Sequence, residues 1–106
     1  MSRSSTIIEE MPATVRVRTH PGEILREEFL IPLGMNARQL AEAIGVPANR
    51  ISEILRERRD ITADTAMRLS RYFGTTPELW LNLQIGHDLT KARAQIDYST
   101  IKPRAA

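Results

Sequence analysis

The chain has 106 residues, of which 42% are hydrophobic and 26% charged, with a formal net charge of +2. This length allows one domain with a modest core, and the composition is globular rather than disordered. Cysteine is absent, which excludes disulfides, thiolate nucleophiles and cysteine metal sites. The sequence contains neither an apolar run of about 18 residues, as a membrane span needs, nor a secretory signal, so we expect a cytoplasmic protein with no membrane partner.

The basic residues are unevenly distributed along the chain. Arginine accounts for thirteen of the fifteen, residues 36–59 carry five arginines against three glutamates, and residues 91–104 carry four basic residues against one aspartate. Residues 23–35, by contrast, carry three glutamates against one arginine. Basic patches of this kind suit DNA binding, although arginines on a solvated surface would give the same pattern.

Residues 1–19 have no helical period and form an irregular N-terminal arm. Alternation of valine and arginine over residues 14–18 is compatible with a short strand or an extended segment. Helix one is predicted over 21–31, because Pro21 suits a first helical turn and apolar residues follow at helical spacing. Pro32 and Gly34 should end it.

The next two helices are short and close together. Asn36 is a good N-cap for helix two, predicted over 37–44, and Gln39 three residues later completes a capping box. Gly45 supplies the left-handed conformation that ends this helix. Pro47 then opens helix three, predicted over 47–57.

Two further helices complete the domain, which we place at residues 20–96. Thr62 caps helix four and Gly74 closes it, and helix five runs from Thr76 and Pro77 to about Ile96. Residues 97–106 form a basic tail. The predicted fold class is therefore all-α, a bundle of five helices.

Helices two and three have the arrangement of a helix-turn-helix. Three or four residues join them and glycine comes first. Ala41 provides the small side chain that a tight crossing needs, while Ile51 and Ile54 can hold helix three from behind. No single one of these features is specific, but their combination predicts a DNA-binding motif rather than a plain bundle.

The outward face of helix three follows from a rotation of about 100° per residue. The N-terminal part of a second helix of this kind reaches base edges, and four polar side chains lie there. The candidate base-reading residues are Asn49, Arg50, Ser52 and Glu53. Five more are placed to contact phosphates, at the start of helix two or the end of helix three, namely Arg38, Gln39, Arg56, Arg58 and Arg59. The alternative is that these side chains only solvate a helical bundle.

The run from HPGEILREEFL through LGMNARQLAEAIGVPANRISEILRERRDITADTAMRLSRYFGTTPELWLNLQ, about 75 residues, closely resembles the HigA-type antitoxins of the Xre/Cro-like helix-turn-helix group. The resemblance implies a small helical homodimer that binds a double-stranded DNA operator and represses its own operon. It also implies a partner, a HigB toxin of the RelE-like type that cleaves mRNA on the ribosome. A free-standing Xre-family transcriptional regulator without a toxin, and an interaction module that no longer binds DNA, are the alternatives.

Helix five has a second apolar stripe, roughly opposite the one formed by Leu79, Trp80 and Leu83. Its members recur at steps of three or four, and they are Leu81, Ile85, Leu89, Ala92 and Ile96. A helix with two apolar stripes usually has two neighbours, so we expect this stripe to form a dimer interface. The competing hypothesis is that the N-terminal arm folds back over it.

No catalytic constellation is present in the sequence, and we expect neither an enzyme nor a bound cofactor. His20 and His87 are the only histidines, and a metal site would need further ligands. Glu27 and Glu28 are adjacent, so on a helix they point about 100° apart and form a solvated face rather than a catalytic pair. Trp80 is interpreted as a core anchor.

Overall fold

The computed structural model describes residues 19–105, and these form five α-helices and no strand. Helix α1 comprises three consecutive segments, Pro21–Ile24, a π-helical part Leu25–Leu30, and Ile31–Leu33. It is followed by α2 (Ala37–Ile44), α3 (Ala48–Leu55), α4 (Ala63–Phe73) and α5 (Pro77–Gln95), and then by a 3₁₀ turn, Tyr98–Thr100. The prediction of an all-α bundle of five helices is confirmed. The strand considered for residues 14–18 lies outside the described residues.

Helix α1 runs two residues beyond its predicted end and includes Pro32. The backbone widens into π-helical turns immediately before the proline, and the N–H of Ile31 donates to the carbonyl of Arg26, five residues back. Proline lacks an N–H and normally clashes with the carbonyl of the preceding turn. The wider turn accommodates its ring, so the helix continues to Leu33 and ends at Gly34.

Helix α2 matches its predicted bounds, whereas α3 ends two residues earlier than predicted. The capping box of Asn36 and Gln39 is present, and Gly45 ends α2 at φ 75°. After Leu55 the chain leaves the helix through Glu57, which adopts a φ of 64°. The N–H of Arg58 then donates to the carbonyl of Glu53, so the last turn closes without a glycine.

The core lies between the two helices of the motif and the three around them. Eleven buried apolar side chains form it: Leu25, Leu30, Leu40, Ala41, Ile44, Ile51, Ile54, Ile61, Ala66, Leu69 and Trp80. The indole N–H of Trp80 donates to Thr75 Oγ1 at 2.8 Å, which satisfies the polar atom of this buried ring. Its expected role as a core anchor is therefore confirmed.

The start of α1 packs closely against the end of α3. Gly22 is buried there, and a Cβ at this position would overlap the backbone carbonyl oxygen of Ile54. One turn further along α1, Arg26 Nη1 donates to the carbonyl oxygen of Leu55 at 2.9 Å. Glycine is therefore required by close approach of two backbones, and the arginine satisfies a carbonyl at the end of α3.

His20 caps α1 with its side chain. Nδ1 accepts a hydrogen bond from the N–H of Gly22 at 2.8 Å, so this nitrogen carries no proton. His20 is 4% exposed, and its ring lies 5.0 Å from that of His87. The two histidines, distant in sequence, are thus adjacent in space. Burial, and then the proximity of His87, lower the pKa of His20 despite nearby acidic groups.

No helix among residues 19–105 combines the length and the apolar character that crossing a membrane requires.

Replacing Gly22 with alanine should lower the free energy of unfolding by about 2 kcal/mol, because the added methyl group forces α1 away from the carbonyl of Ile54. Glu23→Ala is the matched control, since Glu23 is exposed on the same turn and its loss should change stability by less than about 0.5 kcal/mol. Chemical denaturation measures the free energy of unfolding of both variants. Equal stability of Gly22→Ala and the wild type would contradict the close packing.

The lowered pKa of His20 gives a pH dependence with a defined sign. In the unfolded chain His20 has the ordinary histidine pKa of 6.5, and in the folded chain its pKa is lower. The contribution of His20 to stability is therefore fully present above pH 6.5 and declines as the pH falls below that value. His20→Asn keeps a capping oxygen but cannot titrate, so its loss of stability between pH 7 and 5 should be smaller. Parallel pH profiles for the two proteins would rule out a contribution from this histidine.

Candidate nucleic-acid interface

Helix α3 is held by its buried face, and this orients its polar face outward. Ile51 and Ile54 are fully buried in the core. Asn49 is exposed in the first turn, while Ser52 and Glu53 are half-buried beside it. Ser52 Oγ donates to the backbone carbonyl of Asn49 at 3.3 Å, whereas the side-chain amide of Asn49 makes no hydrogen bond within residues 19–105. An exposed amide in the first turn of such a helix can make a bidentate pair with adenine.

Arg50, the fourth predicted base-reading residue, is already engaged by another side chain. Its Nη1 lies 2.8 Å from Asp64 Oδ2, in the first turn of α4. The same oxygen accepts from Arg68 Nε at 3.0 Å. The hydrogen bond from Arg50, and to a smaller extent that from Arg68, lowers the pKa of the Asp64 carboxyl below its usual value, so this group is ionised at neutral pH.

Arg68 also connects this ion-pair network to α2. Its Nη1 donates to the carbonyl oxygens of Ile44 at 2.7 Å and Gly45 at 3.3 Å, where α2 ends. These carbonyls have no partner within their own helix, and a cation there is favourable. A residue of α4 thereby holds the turn between the two helices of the motif.

The five predicted phosphate contacts are all exposed. Arg38 and Gln39 lie in the first turn of α2, and the side-chain oxygen of Gln39 accepts from the N–H of Asn36 at 2.9 Å. The side-chain oxygen of Gln39 is therefore used in capping, and its amide N–H groups remain for the predicted phosphate contact. Arg56, Arg58 and Arg59 lie in the turn and loop after α3, where their cationic ends can reach a DNA backbone.

Sequence reasoning missed the residue that anchors this loop. Gln84 of α5 is buried, and its Oε1 accepts from the N–H of Ile61 at 2.7 Å. Its Nε2 donates to Asp60 at 3.2 Å and to Asp88 at 3.0 Å. The loop that carries Arg58 and Arg59 is thus fixed to α5. In the sequence, Gln84 is only a polar residue four positions after Trp80. An exposed glutamine could occur at the same spacing, so the sequence did not indicate that Gln84 is buried.

The outer stripe of α5 differs from its prediction at one member. Ile85, Leu89 and Ile96 are 52%, 46% and 53% exposed, and Ala92 is half-buried. Leu81, however, packs partly against the core, because it lies only about 60° around the helix from the buried Gln84. Leu79, expected on the inner face, is 37% exposed. The exposed apolar stripe therefore begins at Ile85.

The arrangement offers a helix with polar side chains outward and cations at the ends of the motif. Within residues 19–105, no three histidine, aspartate or glutamate side chains are grouped as a metal site would need. The fold and this exposed face define a helix-turn-helix protein.

The helix-turn-helix family model matches residues 25–80, and the chain belongs to this family. It is 57% identical over 83 residues to virulence-associated protein I of Dichelobacter nodosus, covering 78% of this chain and 72% of that protein. It is also 40% identical over 95 residues to antitoxin HigA-1 of Vibrio cholerae, covering 88% of this chain and 90% of that protein.

A solved structure of the Pseudomonas aeruginosa antitoxin HigA with the higBA promoter superimposes with a TM-score of 0.76 at 44% identity. The match covers 85% of this chain and all of the other. These similarities confirm the resemblance to HigA-type antitoxins seen in the sequence.

Asn49 remains a predicted base-reading residue, and its replacement separates base reading from general affinity. Asn49→Ala should weaken binding at one base pair of the target by about 1–3 kcal/mol and leave non-specific binding nearly unchanged. Competition binding with a set of single-base-pair variants measures both effects. An equal loss for every duplex would refute the assignment.

Arg58→Ala is the matched control, because its side chain is exposed beyond the end of α3. A lost phosphate contact should weaken binding to all duplexes alike and lower the salt slope by about one.

Proposed function

We propose that this protein is a HigA-type antitoxin that binds a DNA operator in its own promoter as a homodimer. It represses its toxin–antitoxin operon and neutralises a HigB toxin, an mRNA-cleaving enzyme of the RelE-like type. Such a protein acts in the cytoplasm and needs no cofactor. The observation that carries the proposal is the exposed polar face of α3, held rigidly from behind by Ile51 and Ile54.

The DNA-binding half is supported by charge and by the placement of side chains. Asn49 is exposed in the first turn of α3, and arginines are exposed on both sides of the motif, at Arg38 and at Arg56, Arg58 and Arg59. This is the distribution that base reading at the centre and phosphate contacts at the edges require. The HigA relative solved with its promoter, at 44% identity, supports the same mode of binding.

The homodimer is supported by the outer stripe of α5. Ile85, Leu89 and Ile96 each expose about half of a large apolar side chain along one side of the helix. Burying them against a second copy is favourable, and a two-fold dimer places two reading helices about one DNA turn apart. The competing hypothesis involves the N-terminal arm, which lies outside the described residues.

The toxin half is supported by similarity to antitoxin HigA-1 over 88% of the chain. To test it, the open reading frame beside the gene is expressed alone and together with this chain. We expect that the neighbouring protein alone arrests growth, that co-expression of this chain restores growth, and that the two proteins co-purify as a complex. If the chain binds its promoter but the neighbouring protein is not toxic, the chain is a free-standing transcriptional regulator. If the chain does not bind its own promoter, it is an interaction module that does not bind DNA.

Leu89→Asp should yield a monomer, because a buried carboxylate at the centre of the apolar stripe opposes association. Sedimentation measures the mass, and binding to a paired operator should be lost while a single half-site is still bound weakly. Glu78→Asp is a neutral control, since Glu78 is an exposed acid in the first turn of α5. A Leu89→Asp variant that remains dimeric would refute this interface.

A further inference from the structure

We propose that Asp64 is a specificity-determining residue, which positions the Arg50 guanidinium so that its free edge reads a guanine in the major groove. This inference rests on the proposed binding of DNA by α3. Asp64 belongs to α4, outside the helix-turn-helix pair, and has no place among the predicted base or phosphate contacts.

The ion pair between the two residues holds one corner of the guanidinium and leaves the rest available. Only Nη1 of Arg50 contacts Asp64 Oδ2, at 2.8 Å. Nε and Nη2 make no hydrogen bond within residues 19–105. These two atoms carry parallel N–H groups, the arrangement that pairs with O6 and N7 of guanine.

Asp64 is itself held from the other side, so it can act as a fixed support. Its Oδ2 accepts from Arg68 Nε at 3.0 Å, and Arg68 is fixed in turn on the carbonyl oxygens of Ile44 and Gly45. A chain of contacts therefore links the end of α2, the start of α4 and the first turn of α3. The position of the guanidinium relative to the motif is set by this chain.

A flexible arginine side chain loses conformational entropy when it binds a base, and this loss lowers the affinity. Arg50 has a side chain that is only 28% exposed and already ion-paired, so part of this loss occurs on folding. A guanine then gains from the pre-ordered donors because it offers two adjacent acceptors, whereas adenine and thymine each offer only one acceptor in the major groove.

A carboxylate beside a DNA-binding helix would by itself repel phosphates and weaken binding. Asp64 is 57% exposed in its side chain and ionised, yet two arginines share one of its oxygens. Its contribution is therefore to the choice of sequence, not to total affinity.

The test is a double-mutant cycle with the full chain and duplexes from its own promoter, together with a random duplex. Each G·C pair of the promoter site is changed to A·T in turn. The wild type should lose about 10-fold or more in affinity at one G·C pair. Asp64→Asn should reduce this discrimination about five-fold while changing affinity for the random duplex less than two-fold. In an Arg50→Ala background, Asp64→Asn should not change the discrimination at this base pair any further.

Five results would overturn the inference. If Asp64→Asn binds all duplexes more weakly by the same factor, Asp64 acts on the stability of the fold. If it binds all of them more tightly by the same factor, Asp64 only repels DNA or keeps Arg50 from contacting it. A full effect of Asp64→Asn in the Arg50→Ala background would mean that it acts through Arg68 instead. A wild type that binds no promoter DNA would remove the proposed function as well, whereas normal discrimination by Asp64→Asn removes this inference alone.

Asp64→Glu provides a second variant if Asp64→Asn does not fold. It keeps the charge and the two arginine partners but displaces the carboxylate, so discrimination at the same base pair should fall while the melting temperature stays close to that of the wild type. Unchanged discrimination in a folded Asp64→Glu variant would overturn the positioning role.

Discussion

The contact between the start of α1 and the end of α3 is the constraint on which the rest of the structure depends. Gly22 packs directly on the carbonyl of Ile54, and no larger residue fits there. His20 caps α1 at this point, and Arg26 donates to the carbonyl of Leu55. The end of α3 is thereby fixed from outside the motif, which determines where the helix stops and where Arg56, Arg58 and Arg59 begin.

Arginines have two different tasks in this protein. Arg26 and Arg68 donate to carbonyl oxygens at the ends of α3 and α2, so they stabilise the two helices of the motif. Arg38, Arg56, Arg58 and Arg59 are exposed, and their side chains make no hydrogen bond within the described part of the chain. Arg50 lies between these groups, since it is ion-paired on one side and free on the other. Net charge alone cannot distinguish the two tasks.

The polar residues of α5 connect its inner face to the loop after α3. Gln84 holds Ile61 and Asp60 in place, and the loop before them carries the cations after α3. The outer side of the same helix exposes Ile85, Leu89 and Ile96. In the proposed dimer, one helix therefore links the interface between copies to the loop beside the DNA, so the spacing of the two reading helices follows from a single rigid element.

The sequence alone determined the helices and their faces, because capping residues, glycine after α2 and α4, and apolar spacing act over a few residues. It placed α2 correctly, identified the motif and selected the polar face of α3, of which Asn49 is the exposed member. Only the tertiary structure decided that α1 continues through Pro32, that α3 ends at Leu55, that Leu81 packs inward, and that His20 meets His87. It also decided that Arg50 pairs with Asp64 and that Gln84 is buried. These outcomes depend on contacts between residues far apart in the chain, and local periodicity carries no information about such contacts.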